Sequence, residues 1–322
     1  MDLVTIAEIR AAAARLAGVT LRTPLVRFPL AEPGLLVKPE SLQLTGAFKL
    51  RGAYAAISAL PPERRARGVI THSSGNHAQA VACASRLLAV PATVVIPDDA
   101  PAVKADAARA FGAEVVRCAP GLAAREAATA SLIARHGYTL VPPFDDPAVV
   151  AGQGTVGLEI AEDARELDLV LVPVGGGGLI SGVAAAIRGL RPEVCVIGVE
   201  PALAADARDS LRQRRRVAWE GAVTRRTIAD ALRVERIGEL PLAHLLAQVD
   251  DIVTVTEGEI RRAVRELAVR TRLVAEPGGA VAVAAALFRR AGLPAAKSTV
   301  AILSGGNIDP ALLAAILDGQ PP

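Results

Sequence analysis

The chain has 322 residues, of which 52% are hydrophobic and 21% charged, so it can bury the core of one large domain or two of ordinary size. A formal net charge of only +3, despite a pI near 9.0, gives no electrostatic case for a nucleic-acid partner. Three scattered cysteines (Cys83, Cys118, Cys195) fit neither a zinc spacing nor a disulfide framework.

From Met1 to Ala17 the chain mixes acids and arginine among apolar residues without a signal-peptide cleavage pattern. Thr5 followed by Glu8 predicts a capped opening helix. No later apolar run is long enough to span a bilayer. The expectation is a cytoplasmic protein without a membrane or nucleic-acid partner. The densest basic run (Arg212, Arg214, Arg215, Arg216) has no interleaved aromatics and several acids nearby, which predicts a solvated face.

Short β-branched runs alternate with alanine-rich stretches. Val69–Thr71, Ala92–Ile96, Glu114–Arg117, Leu169–Val174, Cys195–Val199 and Thr299–Leu303 read as strands. Helices are predicted over Asn76–Leu88, over Val103–Phe111 and from about Leu179. Only 2% of residues are aromatic, and an aliphatic core of this kind suits buried parallel strands. The predicted class is α/β, with open, twisted, mainly parallel sheets covered on both faces. Pro142-Pro143 and Asp145-Asp146-Pro147 interrupt the pattern and mark a crossing between domains. Pro321-Pro322 follow soon after the last helix, so no appended regulatory domain is expected.

Four consecutive glycines, Gly175, Gly176, Gly177 and Gly178, separate the strand ending at Val174 from a helix. Without Cβ atoms, their N–H groups can converge on an anion at a helix N-terminus, and phosphate is the natural guest. The spacing fits neither the dinucleotide fingerprint nor the nucleoside-triphosphate loop. Lys49, in Thr45-Gly46-Ala47-Phe48-Lys49-Leu50-Arg51-Gly52-Ala53, sits near a predicted helix start, where the dipole prefers acids. Taken alone, it reads either as an exposed surface lysine or as a Schiff-base lysine with a lowered pKa. Ser73-Ser74-Gly75-Asn76-His77 bridges a strand and a helix and reads either as a simple N-cap or as a carboxylate site. Ser304-Gly305-Gly306-Asn307 places another hydroxyl at the carboxyl end of a strand.

Together these motifs resemble the serine/threonine dehydratases, pyridoxal-phosphate (PLP) enzymes of the tryptophan-synthase-β fold type, a group that includes serine racemase. The resemblance runs from Arg22-Thr23-Pro24-Leu25 to Ser304-Gly305-Gly306-Asn307. Between them lie Gly152-Gln153-Gly154-Thr155, Thr227-Ile228-Ala229-Asp230 and Glu276-Pro277. It implies that Lys49 carries the cofactor and moves the substrate's Cα proton, with Phe48 beside the ring. Asn76 would meet the ring hydroxyl, Gly175 to Gly178 with Leu179 the phosphate, and Ser304 the pyridine nitrogen. Ser73, Ser74, His77 and Arg125 would face an amino-acid substrate. Ser74 matches a serine that, in the racemase, serves the face opposite the lysine, where many threonine dehydratases have alanine. Glu200, Ala204 and Asp206 resemble the divalent-cation site of the racemase branch, for Mg²⁺ or else Ca²⁺ or Mn²⁺.

The chain departs from the family pattern at Ala47, where serine is frequent, at Ala231, where glycine is usual, and at Val234-Glu235-Arg236. Substrate identity therefore stays open among threonine, serine and 3-hydroxyaspartate. The implied activity is a threonine/serine ammonia-lyase, with serine racemase or threo-3-hydroxyaspartate dehydratase as alternatives. The implied architecture is a large PLP domain of residues 1–50 and 147–322, a small α/β domain of residues 51–146 and a homodimer.

Overall fold

The computed structural model describes residues 2–29, 34–100 and 102–319, so Pro321-Pro322 lie outside the described residues. Ten strands run in chain order: β1 (Val26–Arg27), β2 (Leu35–Pro39), β3 (Val69–His72), β4 (Ala92–Pro97), β5 (Glu114–Cys118), β6 (Thr139–Leu140), β7 (Leu169–Pro173), β8 (Cys195–Pro201), β9 (Asp251–Val255) and β10 (Thr299–Leu303). The helices begin with α1 (Ile6–Leu16), α2 (Lys49–Ala59), α3 (Pro62–Arg67), α4 (Asn76–Leu87), α5 (Ala102–Ala110), α6 (Leu122–His136) and α7 (Pro147–Asp163). They continue with α8 (Gly178–Leu190), α9 (Asp206–Gln213), α10 (Gly221–Thr224), α11 (Glu239–Gln248), α12 (Glu257–Glu266), α13 (Pro277–Phe288) and α14 (Pro310–Leu317).

The strands form two sheets, ordered β1-β2-β10-β7-β8-β9 and β5-β4-β3-β6, and every pairing is parallel except β1 with β2. The α/β class expected from the alternating pattern is the class observed. β7 shows why: all five of its residues, Leu-Val-Leu-Val-Pro, are buried, as befits a strand covered on both faces. Its odd residues face one core with α13, and its even residues face another with α8. Among the described residues, no helix is long and apolar enough to cross a membrane.

Strand order reverses direction between β7 and β10 in the large sheet, and between β3 and β6 in the small one. In open parallel sheets such reversals leave crevices at the carboxyl ends of the strands. The chain leaves those ends through Gly175–Gly178 after β7, Ser304–Asn307 after β10 and Ser73–Asn76 after β3. Thr5 caps α1 with the expected reciprocal Glu8 bond.

Candidate active site

Lys49 is the first residue of α2, whose N-cap, Phe48, makes no side-chain cap. Backbone contacts place it instead. The Phe48 N–H donates to the Ser304 carbonyl at 3.0 Å, and Ala47 forms an antiparallel bridge with Gly305. The Lys49 Nζ donates to the Pro143 carbonyl at 2.5 Å and lies 5.1 Å from the centre of the Phe48 ring. Burial without an acidic partner lowers the Lys49 ammonium to about 8, because the charged form is poorly solvated there.

The glycine loop leads from β7 into α8. Gly177 is its N-cap at φ +91°, a left-handed conformation that favours glycine. A Cβ on Gly176 would stand 2.0 Å from Cδ1 of Phe144, so the phenyl ring lies directly against the loop. The first-turn N–H groups of α8 have no intrahelical acceptor, so they are available to an anion such as phosphate, and Leu179 beside them is buried. Phe144 is held by its neighbours. The Asp145 carboxylate accepts from the N–H groups of Glu239 (2.9 Å) and Leu240 (3.0 Å), capping α11. Asp146 caps α7 through the Val149 N–H at 2.9 Å.

The Ser73–His77 turn starts α4 without a side-chain cap, leaving first-turn N–H groups for a guest. Ser73 Oγ accepts from the Gly75 N–H at 3.3 Å, and Ser74 is half-buried beside it. Asn76 reaches across to the large sheet. Its Nδ2 donates to the Glu276 carboxylate at 2.7 Å, while its Oδ1 accepts from Asn307 Nδ2 at 2.8 Å. Asn307 Nδ2 also donates to the Thr45 carbonyl at 2.8 Å. A carbonyl can only accept, so it fixes the Asn307 amide, and that in turn fixes the Asn76 amide. One Nδ2 hydrogen of Asn76 remains, and it can serve only an acceptor.

His77 is buried with Nε2 2.9 Å from the Val141 carbonyl, so Nε2 carries the proton. Burial, with Lys49 nearby, lowers it to about 3. The neutral ring is committed to Val141, and what His77 offers a carboxylate is its backbone N–H. Ser304 is buried at the end of β10. Arg125 lies in the first turn of α6, with Nε 3.4 Å from the Gly121 carbonyl. α6 packs against β3, and the pKa of His72, the last residue of β3, falls through burial and then through the Arg125 charge.

Glu200, Ala204 and Asp206 come together at the start of α9. The fully buried Glu200 carboxylate accepts from the N–H groups of Ala207 (3.0 Å) and Arg208 (2.8 Å). Asp206 is buried, and its Oδ2 has no hydrogen-bond partner. Burial, then the neighbouring Asp206, pushes the Glu200 carboxyl well above its usual range, and burial lifts Asp206 to about 7. Among the described residues no group of three or more His, Cys, Asp or Glu gathers for a metal. A cation here would take two carboxylates, a backbone carbonyl and water, a hard oxygen set that fits a small divalent ion.

A family described as "Pyridoxal-phosphate dependent enzyme" matches residues 16–305 of the chain. The chain belongs to that family. It is 43% identical over 283 residues to an L-threo-3-hydroxyaspartate ammonia-lyase of Saccharomyces cerevisiae, covering 88% of this chain and 86% of that one. Identity is 44% over 281 residues to an L-threonine ammonia-lyase of Geobacter sulfurreducens, covering 87% and 69%. The crystal structure of serine racemase from Dictyostelium discoideum superposes with a TM-score of 0.87 at 37% identity, covering 95% of this chain and 99% of that one.

The residues present fit the family's cofactor. Lys49 has a partly uncharged amine, the glycine cradle suits a phosphate, Asn76 has one donor to spare, and the Ser304 hydroxyl sits on the same β10 exit. Four residues of this constellation have no role that the sequence alone marks: Pro143, Phe144, Glu276 and Asn307. Glu276 and Asn307 stood only as landmarks. A Pro-Pro pair beside two acids was the available signal for the first two, since such a segment is stiff and can cap helices at both ends.

Proposed function

We propose that the protein is a threonine/serine ammonia-lyase, converting L-threonine or L-serine to 2-oxobutanoate or pyruvate plus ammonia. The observation that carries this reading is the Lys49 amine, buried against the Pro143 carbonyl and the Phe48 ring with its pKa lowered to about 8. Identity of 36–44% to L-threonine ammonia-lyases supports it.

In this reading Gly175–Gly178 and Leu179 hold the cofactor phosphate, Phe48 packs beside the ring, and Ser304 donates towards the ring nitrogen. A hydroxyl there, unlike a carboxylate, does not keep that nitrogen protonated, which favours elimination over transamination. Bound PLP supplies the electron sink for charge developing at the substrate's Cα. The N–H groups and hydroxyls of Ser73–His77 orient the substrate carboxylate, with Arg125 as a further cation. Lys49 removes the Cα proton, the β-hydroxyl departs as water, and hydrolysis of the released enamine yields the 2-oxo acid and ammonia. Residues 51–146 act as a small domain closing on residues 1–50 and 147–322, with α2 bridging the boundary. The enzyme works as a cytoplasmic homodimer.

Product analysis tests the reading. PLP-loaded protein is given L-serine, D-serine, L-threonine and threo-3-hydroxyaspartate, and 2-oxo acid and enantiomer are followed together. Oxo acid without D-amino acid supports the lyase. Oxo acid from hydroxyaspartate alone selects the hydroxyaspartate branch, and no product from any of them refutes the proposal.

Ser74 favours racemisation as a second reading, because it puts an acid/base group in the turn before Asn76. Ser74→Ala is expected to lower L-serine racemisation by about 10²-fold or more, the contribution of one positioned proton carrier. Elimination from L-serine should fall much less; an equal loss of both activities removes Ser74 from this role.

We also place Mg²⁺ at Glu200, Ala204 and Asp206, with Ca²⁺ or Mn²⁺ as alternatives. A hundredfold excess over its Kd would add about 2.7 kcal/mol, or roughly 4 °C in Tm for a chain of this length. Glu200→Gln with Asp206→Asn should abolish that rise in thermal scans. A chelator that changes neither Tm nor activity of the parent rules the site out.

A further inference from the structure

Four charged side chains are buried together behind α2, away from every role assigned so far. Arg51 grips Glu40 through Nε (2.7 Å) and Nη2 (2.9 Å), and grips Glu159 through Nη1 (2.6 Å) and Nη2 (2.9 Å). Lys38 Nζ donates to Glu159 and to the Thr23 carbonyl, both at 2.6 Å. Thr23 Oγ1 (2.8 Å) and Gln43 Nε2 (3.0 Å) complete the Glu40 shell, and Thr155 Oγ1 accepts from Arg51 at 3.1 Å. Side-chain exposure is 0% for Lys38 and Glu40, 1% for Arg51 and 11% for Glu159, so water takes little part.

Two cations and two anions balance, yet such a group is an expensive way to fill a core. Buried ion pairs often stabilise no better than apolar residues of the same volume. What they supply is direction, because a guanidinium fork bound at both edges fixes its own plane. That direction matters here. Lys49 and Arg51 share the first turn of α2, about 200° apart around its axis at 3.6 residues per turn. Two cations in a first turn also oppose the helix dipole, and the N-cap has no side-chain bond to hold it. The Phe48 and Ala47 contacts with the β10 exit tether the front of this turn, and the quartet tethers its back.

We propose that Lys38, Glu40, Arg51 and Glu159 form a positioning device that sets the roll of α2 and so aims Lys49 into the cleft. Arg51 is the positioning residue that links them. This rests on Lys49 being the lysine that carries the cofactor.

The test removes all four charges at once, with Lys38→Met, Glu40→Leu, Arg51→Met and Glu159→Leu in one PLP-loaded protein. Tm, PLP affinity, the visible circular dichroism of bound PLP and the kcat–KM split are then compared with the parent. The expected result is a Tm close to the parent's with PLP bound at least about tenfold more weakly, a reduced dichroic band, and kcat falling more than KM rises. Displacing a reacting group by ~1 Å costs on the order of 10²-fold. A folded variant with parental PLP affinity and dichroism overturns the proposal. Arg51→Lys, which keeps the charge and loses the fork, is run alongside and should shift affinity and dichroism the same way by a smaller factor. If it folds with parental values, or if neither variant folds, the quartet serves the fold alone and the proposal fails. Lys49→Ala is the control for the underlying reading. A parental band that does not depend on Lys49 sinks that reading, whereas a Lys49-dependent band indifferent to the quartet sinks only this inference.

Discussion

Lys49→Ala is expected to abolish the visible absorbance of bound PLP and to lower kcat by about 10⁴-fold, the upper range for losing a positioned proton carrier. In the proposed function the substitution removes the attachment point and the Cα base together, while the glycine loop would still hold PLP through its phosphate. An unchanged band would show that another amine carries the cofactor. The lowered pKa makes a companion prediction with a definite sign. Lys49 attacks as the free base, which forms as pH rises through about 8. At pH 7 roughly one amine in ten is then uncharged, against about three in ten thousand at the ordinary lysine value. The rate at which apoenzyme captures PLP should climb about tenfold per pH unit below 8 and level off above it. A rate still climbing at that slope beyond pH 9 would mean that the cleft leaves the ammonium unperturbed.

The parts of this site legible in the sequence are those whose chemistry is local. The strand–loop–helix order around Gly175–Gly178, with the anion site it suggests, is read within ten neighbouring residues. The parallel sheets follow from uniformly apolar runs such as Leu169–Val172, and the capped opening helix follows from Thr5 and Glu8. Lys49 was different. Its own segment favours an ordinary surface lysine, and only the ordered set of motifs along the chain points to a nucleophile. Still less legible were contacts between residues distant in sequence. Asn76 meets Glu276 and Asn307 across 200 and 231 residues, and Lys49 meets Pro143 across 94. Lys38 and Glu159 are buried partners although 121 residues separate them, and nothing in either segment marks the pairing. No periodicity encodes such pairings. They arise because the turns after β3 and β10 and the Pro143–Phe144 segment beside the β7 exit meet only in the folded chain.

Gly176→Ala is expected to weaken PLP binding by about 10- to 100-fold, the worth of one lost hydrogen bond to a charged phosphate at about 1.5–3 kcal/mol. The new methyl would lie 2.0 Å from Phe144 Cδ1 and 2.3 Å from two further ring carbons, so the ring or the loop has to move. The ring has little freedom, because the next two residues are anchored to α11 and α7 by their carboxylates, and Pro142-Pro143 stiffens the chain before it. If the loop moves, the α8 N–H groups no longer converge on the phosphate. If the strap moves, the Pro143 carbonyl leaves the Lys49 amine and the Val141 carbonyl leaves His77. Either route disturbs cofactor binding, so the substitution cannot be absorbed quietly. Gly175→Ala is the matched control, since its methyl would meet the Leu232 side chain at 3.3 Å, the Leu232 Cα at 3.4 Å and the Val234 side chain at 3.5 Å, contacts that shifts of a few tenths of an ångström relieve. Titration of both apoproteins with PLP, read by absorbance and checked against Tm, separates the cases. Loss of affinity confined to Gly176→Ala assigns the effect to the contact with Phe144. Equal losses at both positions would show that any methyl on the cradle is excluded by the phosphate itself, and parental affinity at Gly176→Ala would show that the strap yields and does not brace the loop.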